Sequence, residues 1–225
     1  MEANKIDLLD HGYCRLVDSM GSDINVVNAA RVSYDGKAGV NIEGDKKLIN
    51  YLWKNKHSTP FEAVTMTFEI MAPIFVFRQW HRHRTQSYNE LSARYKELPE
   101  VYYIPELRLI TEQSTDNKQM RTTEQNPHAE EIQNIMDTHC ALSFQKYRRM
   151  LDLGCPRELA RGVLPFFTYS HMFCTANLLN FMKFFTLRSH SHAQHEIRVY
   201  SDAMVQLAKQ VAPVCMEVWE KTHNS

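Results

Sequence analysis

Arg82-His83-Arg84 is followed after seven residues by Ser92, and then by Arg94. The run from Arg82 to Tyr95 packs three guanidiniums, an imidazole and the Glu90 carboxylate into fourteen residues. Forked guanidiniums bind phosphate and carboxylate through paired charge-assisted hydrogen bonds. Asn89, Glu90 and Ser92 form a second polar cluster in a turn-rich stretch, flanked by Tyr88 and Tyr95. Aromatic rings beside guanidiniums and amides suit a planar heterocycle that carries phosphate. There is no glycine-rich phosphate cradle, neither the dinucleotide fingerprint nor a P-loop. A nucleotide would therefore be held by side chains.

The geometry of the triplet has two readings. If Pro73 to Arg84 is helical, Gln79, Arg82 and His83 share a face, and Arg84 lies about 200° round from Arg82. The two arginines then serve different ligands or different subunits. If the segment is extended, Arg82 and Arg84 project together and can clamp one pyrophosphate. The sequence leaves both open.

The chain has 225 residues, enough for one substantial core, and one domain spanning 1–225 is expected. Lys plus Arg equals Asp plus Glu, 26 each, so the basic density is local. That suits a small anionic ligand and argues against nucleic acid read over a broad face. No segment approaches a membrane span in length, and no secretory leader is visible. The five cysteines are scattered without CxxC spacing, which points to reduced packing thiols in a cytoplasmic chain.

Strands are expected at Ile6–Asp10 and Tyr13–Ser19 around a His11-Gly12 turn. Ser22 caps a helix over about Asp23–Val32, with Ile24, Val27 and Arg31 at helical spacing. A loop with Gly36, Gly39 and Gly44 follows, and Asp45 caps a helix whose Leu48, Ile49, Leu52 and Trp53 share a face. Val64, Met66, Phe68 and Ile70 alternate with polar residues, the period of a half-buried strand. Residues 108–127 are polar and read as a surface insertion. Asn126-Pro127 opens a long helix stopped by Gly154. Further helices are expected at Cys155–Arg161, about Thr175–Leu187 and about His190–Val211. The fold class is α+β, a mixed or antiparallel sheet flanked by long helices, with strands early and helices late.

The Arg-His-Arg-x7-Ser pattern resembles the signature of the flavin-dependent thymidylate synthases. The likeness extends to Ala29-Ala30-Arg31-Val32-Ser33, His57-x-Thr59-Pro60-Phe61-Glu62, Ala72-Pro73-Ile74-Phe75 and Arg78-Gln79-Trp80. It continues through Arg157-Glu158-x-Ala160-Arg161-x-Val163-Leu164-Pro165, Leu187-Arg188 and Ser191-His192-Ala193-Gln194-x-Glu196-Ile197. These blocks are collinear and span most of the chain.

The resemblance implies an enzyme that methylates dUMP to dTMP. Methylenetetrahydrofolate supplies the carbon, and FAD reduced by NADPH supplies the hydride. It also implies a homotetramer with shared active sites. Gln79, Arg82, Glu90, Ser92, Arg94, Arg161 and Arg188 match positions that hold dUMP. Ser33, His57, Thr59, Arg82, His83, Arg84, Asn89, Glu90, Asn177 and His192 match positions around FAD. Arg188 matches the catalytic position at the uracil edge. Lys183 departs from the family pattern, standing where a neutral flavin contact is expected. His190, His195 and the 108–127 insertion match no family role.

The residue chemistry is consistent with these roles. Activating uracil at C5 builds negative charge across N3 and its flanking carbonyls, and a fixed cation such as Arg188 stabilises it. Arginine stays protonated, so it acts electrostatically. Ser92 has no base partner nearby in sequence and reads as a substrate ligand. No cysteine sits in the Pro-Cys-His setting of the flavin-free thymidylate synthases, and hydride from a flavin removes the need for such a thiol. A metal site built on His190, His192 and His195 is disfavoured, because there is no HExxH pair and helical neighbours two apart diverge. An RNA-binding module using Tyr88 and Tyr95 is disfavoured by the zero net charge.

Overall fold

The computed structural model describes residues 4–32 and 41–223. The first three strands of the fold follow from alternation and turn chemistry. β1 (Lys5–Leu8) and β2 (Gly12–Met20) form the expected hairpin, with Leu9 taking the left-handed conformation (φ 56°) in its turn. α1 (Asp23–Arg31) starts at Ser22, whose backbone N–H donates to Asn25 Oδ1. Its inner face is Val26 and Val27, while Ile24 is exposed.

The second helix corrects the expected cap. α2 (Ile42–Lys54) begins at Asn41, whose side chain accepts from Gly44 N, so Gly44 is helical and Asp45 lies in the first turn. Asp45 instead pairs with Arg31 across the α1–α2 contact. Ile49 and Leu52 are buried, and Leu48 and Trp53 pack against the same core. Gly36 and Gly39 lie outside the described residues.

β3 (Thr65–Pro73) buries Met66, Phe68 and Ile70 on one face, as the alternation requires. Pro73 ends it and leads α3 (Ile74–Trp80), which stops before the arginine triplet. Residues 81–86 form a turn into the short strand β4 (Ser87–Glu90). The 108–127 segment carries a two-stranded hairpin, β5 (Thr111–Gln113) and β6 (Arg121–Gln125). α4 (Ala129–Asp152) ends at Gly154, whose φ of +80° is the left-handed stop the sequence anticipates. α5 (Arg157–Ala160) runs into a single 3-10 turn at Arg161–Val163.

The expected helix from Thr175 is overturned at its start. β7 (Tyr169–Asn177) is a strand, and α6 (Leu178–Arg188) begins only after Asn177, which caps it by accepting from Asn180 N. Strands are therefore not confined to the first half of the chain. α7 (His195–Val211) starts five residues later than expected from His190. Pro213, which cannot continue α7, opens a helix the sequence reading did not include, α8 (Pro213–His223). Asp23 of α1 caps it, accepting from Val214 N and Cys215 N at 2.9 Å each.

The sheet is antiparallel with strand order β1-β2-β3-β7-β4. One face meets the helices. There Phe68 stacks edge-on to Phe181, Trp80 lies on Phe184, and Phe185 meets Trp219. A smaller cluster of Phe144, Tyr147 and Ala160 joins α4 to α5. The opposite sheet face is polar. Glu69 there accepts from Tyr13 and Arg15 and pairs with His171 Nε2 at 2.7 Å.

Gly12 shows how tightly the sheet meets α7. A Cβ there would fall 2.0 Å from the Tyr200 hydroxyl and 2.8 Å from Met71 O. Those two atoms already share a 2.7 Å hydrogen bond. Gly12→Ala is expected to cost about 1–3 kcal/mol from overpacking, read as a lower midpoint in urea at unchanged m-value.

Candidate functional site

The turn at 81–86 sorts the triplet by side. His83 N–H donates to Trp80 O, and the Tyr88 hydroxyl donates to His83 O at 2.7 Å. These bonds turn the His83 ring inward against Phe184, with ring centroids 4.8 Å apart. Arg82 and Arg84, on either side, are exposed. Neither of the two sequence readings holds: the segment is a pinned turn, and the flanking guanidiniums find no partner among the described residues.

Arg188, the last residue of α6, meets this turn from 105 residues away. Its Nε donates to His83 Nε2 at 2.9 Å and its Nη2 to Gln79 O at 3.2 Å. The guanidinium is half-buried and has no carboxylate partner among the described residues. Burial lowers its pKa, yet arginine keeps its proton. His83 must be neutral to accept this bond. Burial, with Arg188 beside it, holds its pKa down to about 4. The result is an uncompensated cation fixed by neutral acceptors, which can stabilise an anion forming beside it.

A second part of the site is a cavity of about 460 Å³ lined by Glu90, Ser92 and Arg161, with Arg78, Phe166 and Ser170. Glu90 Oε1 accepts from Ser170 Oγ at 2.8 Å, and its other oxygen lies 4.0 Å from both Arg78 and His81. Ser92 Oγ accepts from Arg94 N–H at 3.3 Å, which bends the chain so that the Arg94 guanidinium lies over the Tyr95 ring. Arg94 and Arg161 are exposed and have no ion-pair partner among the described residues. Of the sequence-derived set, the structure thus joins Gln79, His83 and Arg188 in one cluster, and Glu90, Ser92 and Arg161 around one cavity.

Other residues of the set stand apart within the protomer. Asn89 pairs with Phe173 and Glu90 with Met172, so neighbouring β4 side chains point to opposite sheet faces. No hydrogen bond, ion pair or ring contact joins His57 or Thr59 to the arginine cluster among the described residues. His57 meets Tyr51 edge-on, and Thr59 starts a 3-10 turn. Asn177 spends its side-chain oxygen on the α6 cap. His192 lies in the loop before α7, its N–H donating to His190 Nδ1. Ser33 is outside the described residues.

The structure adds residues that spacing did not reveal. Gln79 Nε2 donates to Gln194 Oε1 at 2.5 Å, and Gln194 Nε2 donates to Glu196 Oε2 at 2.8 Å. Glu196 is 2% exposed, and both its oxygens accept from Arg121 Nη2, at 2.8 and 3.0 Å, while Arg121 Nη1 donates to Leu109 O. A carboxylate can only accept, so Glu196 sets the orientation of the Gln194 amide. Gln194 then takes the Gln79 amide N–H, and the Gln79 side-chain oxygen has no hydrogen-bond partner among the described residues. Gln194 and Glu196 sat inside a noted block, and nothing in the sequence marked Arg121.

The four buried thiols, Cys14, Cys140, Cys174 and Cys215, are not poised as nucleophiles. Burial pushes Cys174 up to about 12, Cys140 up to about 11, and Cys14 and Cys215 higher still. Among the described residues, no group of three or more His, Cys, Asp or Glu could hold a metal ion. No helix among them is long and apolar enough to cross a membrane.

Residues 15–214 match the family model described as thymidylate synthase complementing protein. The flavin-dependent thymidylate synthase of Rickettsia bellii is 41% identical over 230 residues, covering 96% of this chain and 78% of that protein. That of Treponema denticola is 42% identical over 218 residues, covering 95% and 81%. The crystal structure of the UMP/dUMP methylase PolB from Streptomyces cacaoi, bound with 5-Br dUMP, superposes with a TM-score of 0.87 at 35% identity. That match covers 96% of this chain and 97% of the other.

Proposed function

The chain belongs to the thymidylate synthase complementing family, the flavin-dependent thymidylate synthases, and from that premise we propose how its residues methylate dUMP to dTMP. Methylenetetrahydrofolate is the carbon donor, FAD the flavin and NADPH the reductant. When bound, the flavin supplies the hydride that completes the methyl group. The observation that carries this reading is the half-buried Arg188 guanidinium, held by His83 and Gln79 O with no carboxylate to neutralise it.

Arg188 faces the uracil edge and stabilises the charge that grows on it. Gln79 orients the base. Glu90 and Ser92 hold the sugar side of dUMP, and Arg82, Arg94 and Arg161 supply forks for its phosphate. The described residues fit a flavin dinucleotide as well. Arg84 and Arg82 carry charges that an FAD diphosphate would be first to compensate. His83, kept neutral, and Asn89, Glu90, Asn177, His192, His57 and Thr59 complete the described set, and Ser33 is assigned to it by the family pattern alone. Ser92 lacks a base partner and acts as a ligand.

The separation of Asn89 from Glu90, and of His57 and Thr59 from the arginines, supports an active site assembled from several protomers of a homotetramer. Residues 1–225 are taken as one domain, with 108–127 as an insertion, working in the cytoplasm on small molecules.

The test is anaerobic. Protein reduced with NADPH is mixed with dUMP and methylenetetrahydrofolate, and dTMP is followed by chromatography. Absence of dTMP from flavin-loaded protein overturns the reading. Because base and flavin share a pocket, saturating dUMP is expected to shift the bound flavin's absorbance. An unchanged spectrum counts against the shared pocket.

A further inference from the structure

A cavity of about 480 Å³ lies between the β5–β6 hairpin and the loop that precedes α7. It shares no residue with the Glu90–Ser92–Arg161 cavity. Its size is in the range of small-molecule sites. Arg108, Arg121 and Arg198 line it, together with His192 and His195, and among the described residues no Asp or Glu does. In a chain with equal numbers of acids and bases, that lining is strongly one-sided. Two of the cations have carboxylate partners that do not line the cavity: Arg121 pairs with Glu196, and Arg108 with Glu106. Arg198 is not. Its Nη1 donates only to the Ser191 carbonyl at 3.1 Å, and no carboxylate pairs with it among the described residues. Polar donors on the hairpin, such as Gln119 and Thr122, complete the wall.

The position of this cavity ties it to the reaction. Gln194 lines it and also holds Gln79. His192 lines it too. The hairpin that forms its far wall is fixed to α7 by the Arg121–Glu196 pair, so the space is bounded by anchored elements. Two of the features left without a role by the sequence, the 108–127 insertion and His195, contribute here.

We infer that this cavity is a second anion subsite, which takes the oxyanion-bearing tail of a co-substrate while its reactive ring reaches the Gln79–Arg188 cluster. The inference rests on the proposed synthase activity for its choice of ligand. Two tails have the required chemistry, the phosphates of a dinucleotide reductant and the carboxylates of a glutamylated folate. The Arg198 fork and the hairpin donors recognise either through charge-assisted hydrogen bonds.

The test uses flavin-loaded protein already saturated with dUMP, so that the Arg82–Arg94–Arg161 forks are occupied. Calorimetric titration with inorganic tripolyphosphate is expected to show one saturable, salt-weakened site per protomer. Arg198→Gln is expected to weaken it about tenfold. Gln119→Glu, at an exposed hairpin position that leaves the fold alone, is expected to weaken it similarly by like-charge repulsion. Steady-state arms then separate the sources. A KM rise for NADPH in both variants, with NADH little affected, assigns the site to the dinucleotide phosphate. A larger KM rise for triglutamylated than for monoglutamylated methylenetetrahydrofolate assigns it to the folate tail. No binding in the parent protein, or equal binding in both variants, overturns the inference. Binding that weakens while neither KM moves means an adventitious ion only, and also overturns it. Tripolyphosphate binding in a protein that makes no dTMP would instead sink the synthase reading and leave the anion site standing.

Discussion

Arg188→Ala is expected to lower kcat for dTMP formation about 100- to 1,000-fold, the usual cost of removing one fixed group that stabilises charge in a transition state. The argument rests on what surrounds the guanidinium. His83 and the Gln79 carbonyl hold it in place without neutralising it, so its charge remains available to the base. Because that charge is needed most when uracil carries most negative charge, the loss should fall on kcat more than on KM for dUMP. Flavin content, read from absorbance, should fall much less than turnover. Equal loss of both would remove the assigned role. Arg188→Lys keeps the charge but lacks the fork that reaches His83 and Gln79 together, and an intermediate loss is expected. His83 accepts only when neutral. With its pKa pushed down to about 4, the Arg188 contact persists through the neutral and mildly acidic range. The linkage sign follows. Between about pH 6.5 and 4 the unfolded chain binds a proton at this histidine that the folded one refuses, so stability falls as pH falls through that window.

Local chemistry was readable where one residue type answered one local need. Ser22, Pro73, Asn126-Pro127 and Gly154 mark real boundaries because a missing N–H, a capping oxygen or a left-handed turn is a need of the adjacent backbone alone. β7 was misread for a different reason. Its inward residues, Met172, Cys174 and Ala176, alternate, but Phe173 occupies the other face and apolar residues resume directly after Asn177 in α6. Periodicity cannot separate strand from helix in such a run. Asn177 held the signal, since its side chain caps the helix that follows. Asp45 lost the cap of α2 because Arg31, on another helix, claimed its carboxylate. The candidate site divides in the same way. The Arg82–Arg94 cluster is contiguous and declared itself. The contacts that give it polarity, Arg188 to His83 and Arg121 to Glu196, join residues 105 and 75 apart. Pairings at such separations are set by tertiary packing, which no local pattern encodes.

Arg121→Ala is expected to destabilise the protein by about 3 kcal/mol, the lower end of the cost of breaking a buried ion pair, since the arginine side is about one-third exposed. For a chain of this length that is a drop in Tm of roughly 6–12 °C. The damage comes from Glu196, which is almost fully buried and would lose its one cationic partner among the described residues, keeping neutral donors such as Gln194 and the Tyr103 hydroxyl. The pH dependence distinguishes this cause from lost packing. Burial alone would raise the Glu196 pKa, but the bonds from Arg121 and Gln194 outweigh it and hold the carboxyl below its usual 4.5. Its contribution to stability is therefore present above about pH 4.5 and is lost as pH falls through the lower folded value. Without Arg121 burial prevails and the sign reverses: the folded state takes up a proton more readily than the unfolded one. The Tm gap between the two proteins should thus narrow steadily from pH 7 towards pH 4.5. A gap that stays constant over that range would show that the pair is not its source. Replacing both partners with apolar residues, as in Arg121→Met with Glu196→Leu, removes the stranded charge and should recover most of the stability. It should not recover turnover, because Gln194 then loses the acceptor that orients it, and the Gln79 amide is free to turn its donor instead of its acceptor towards the base.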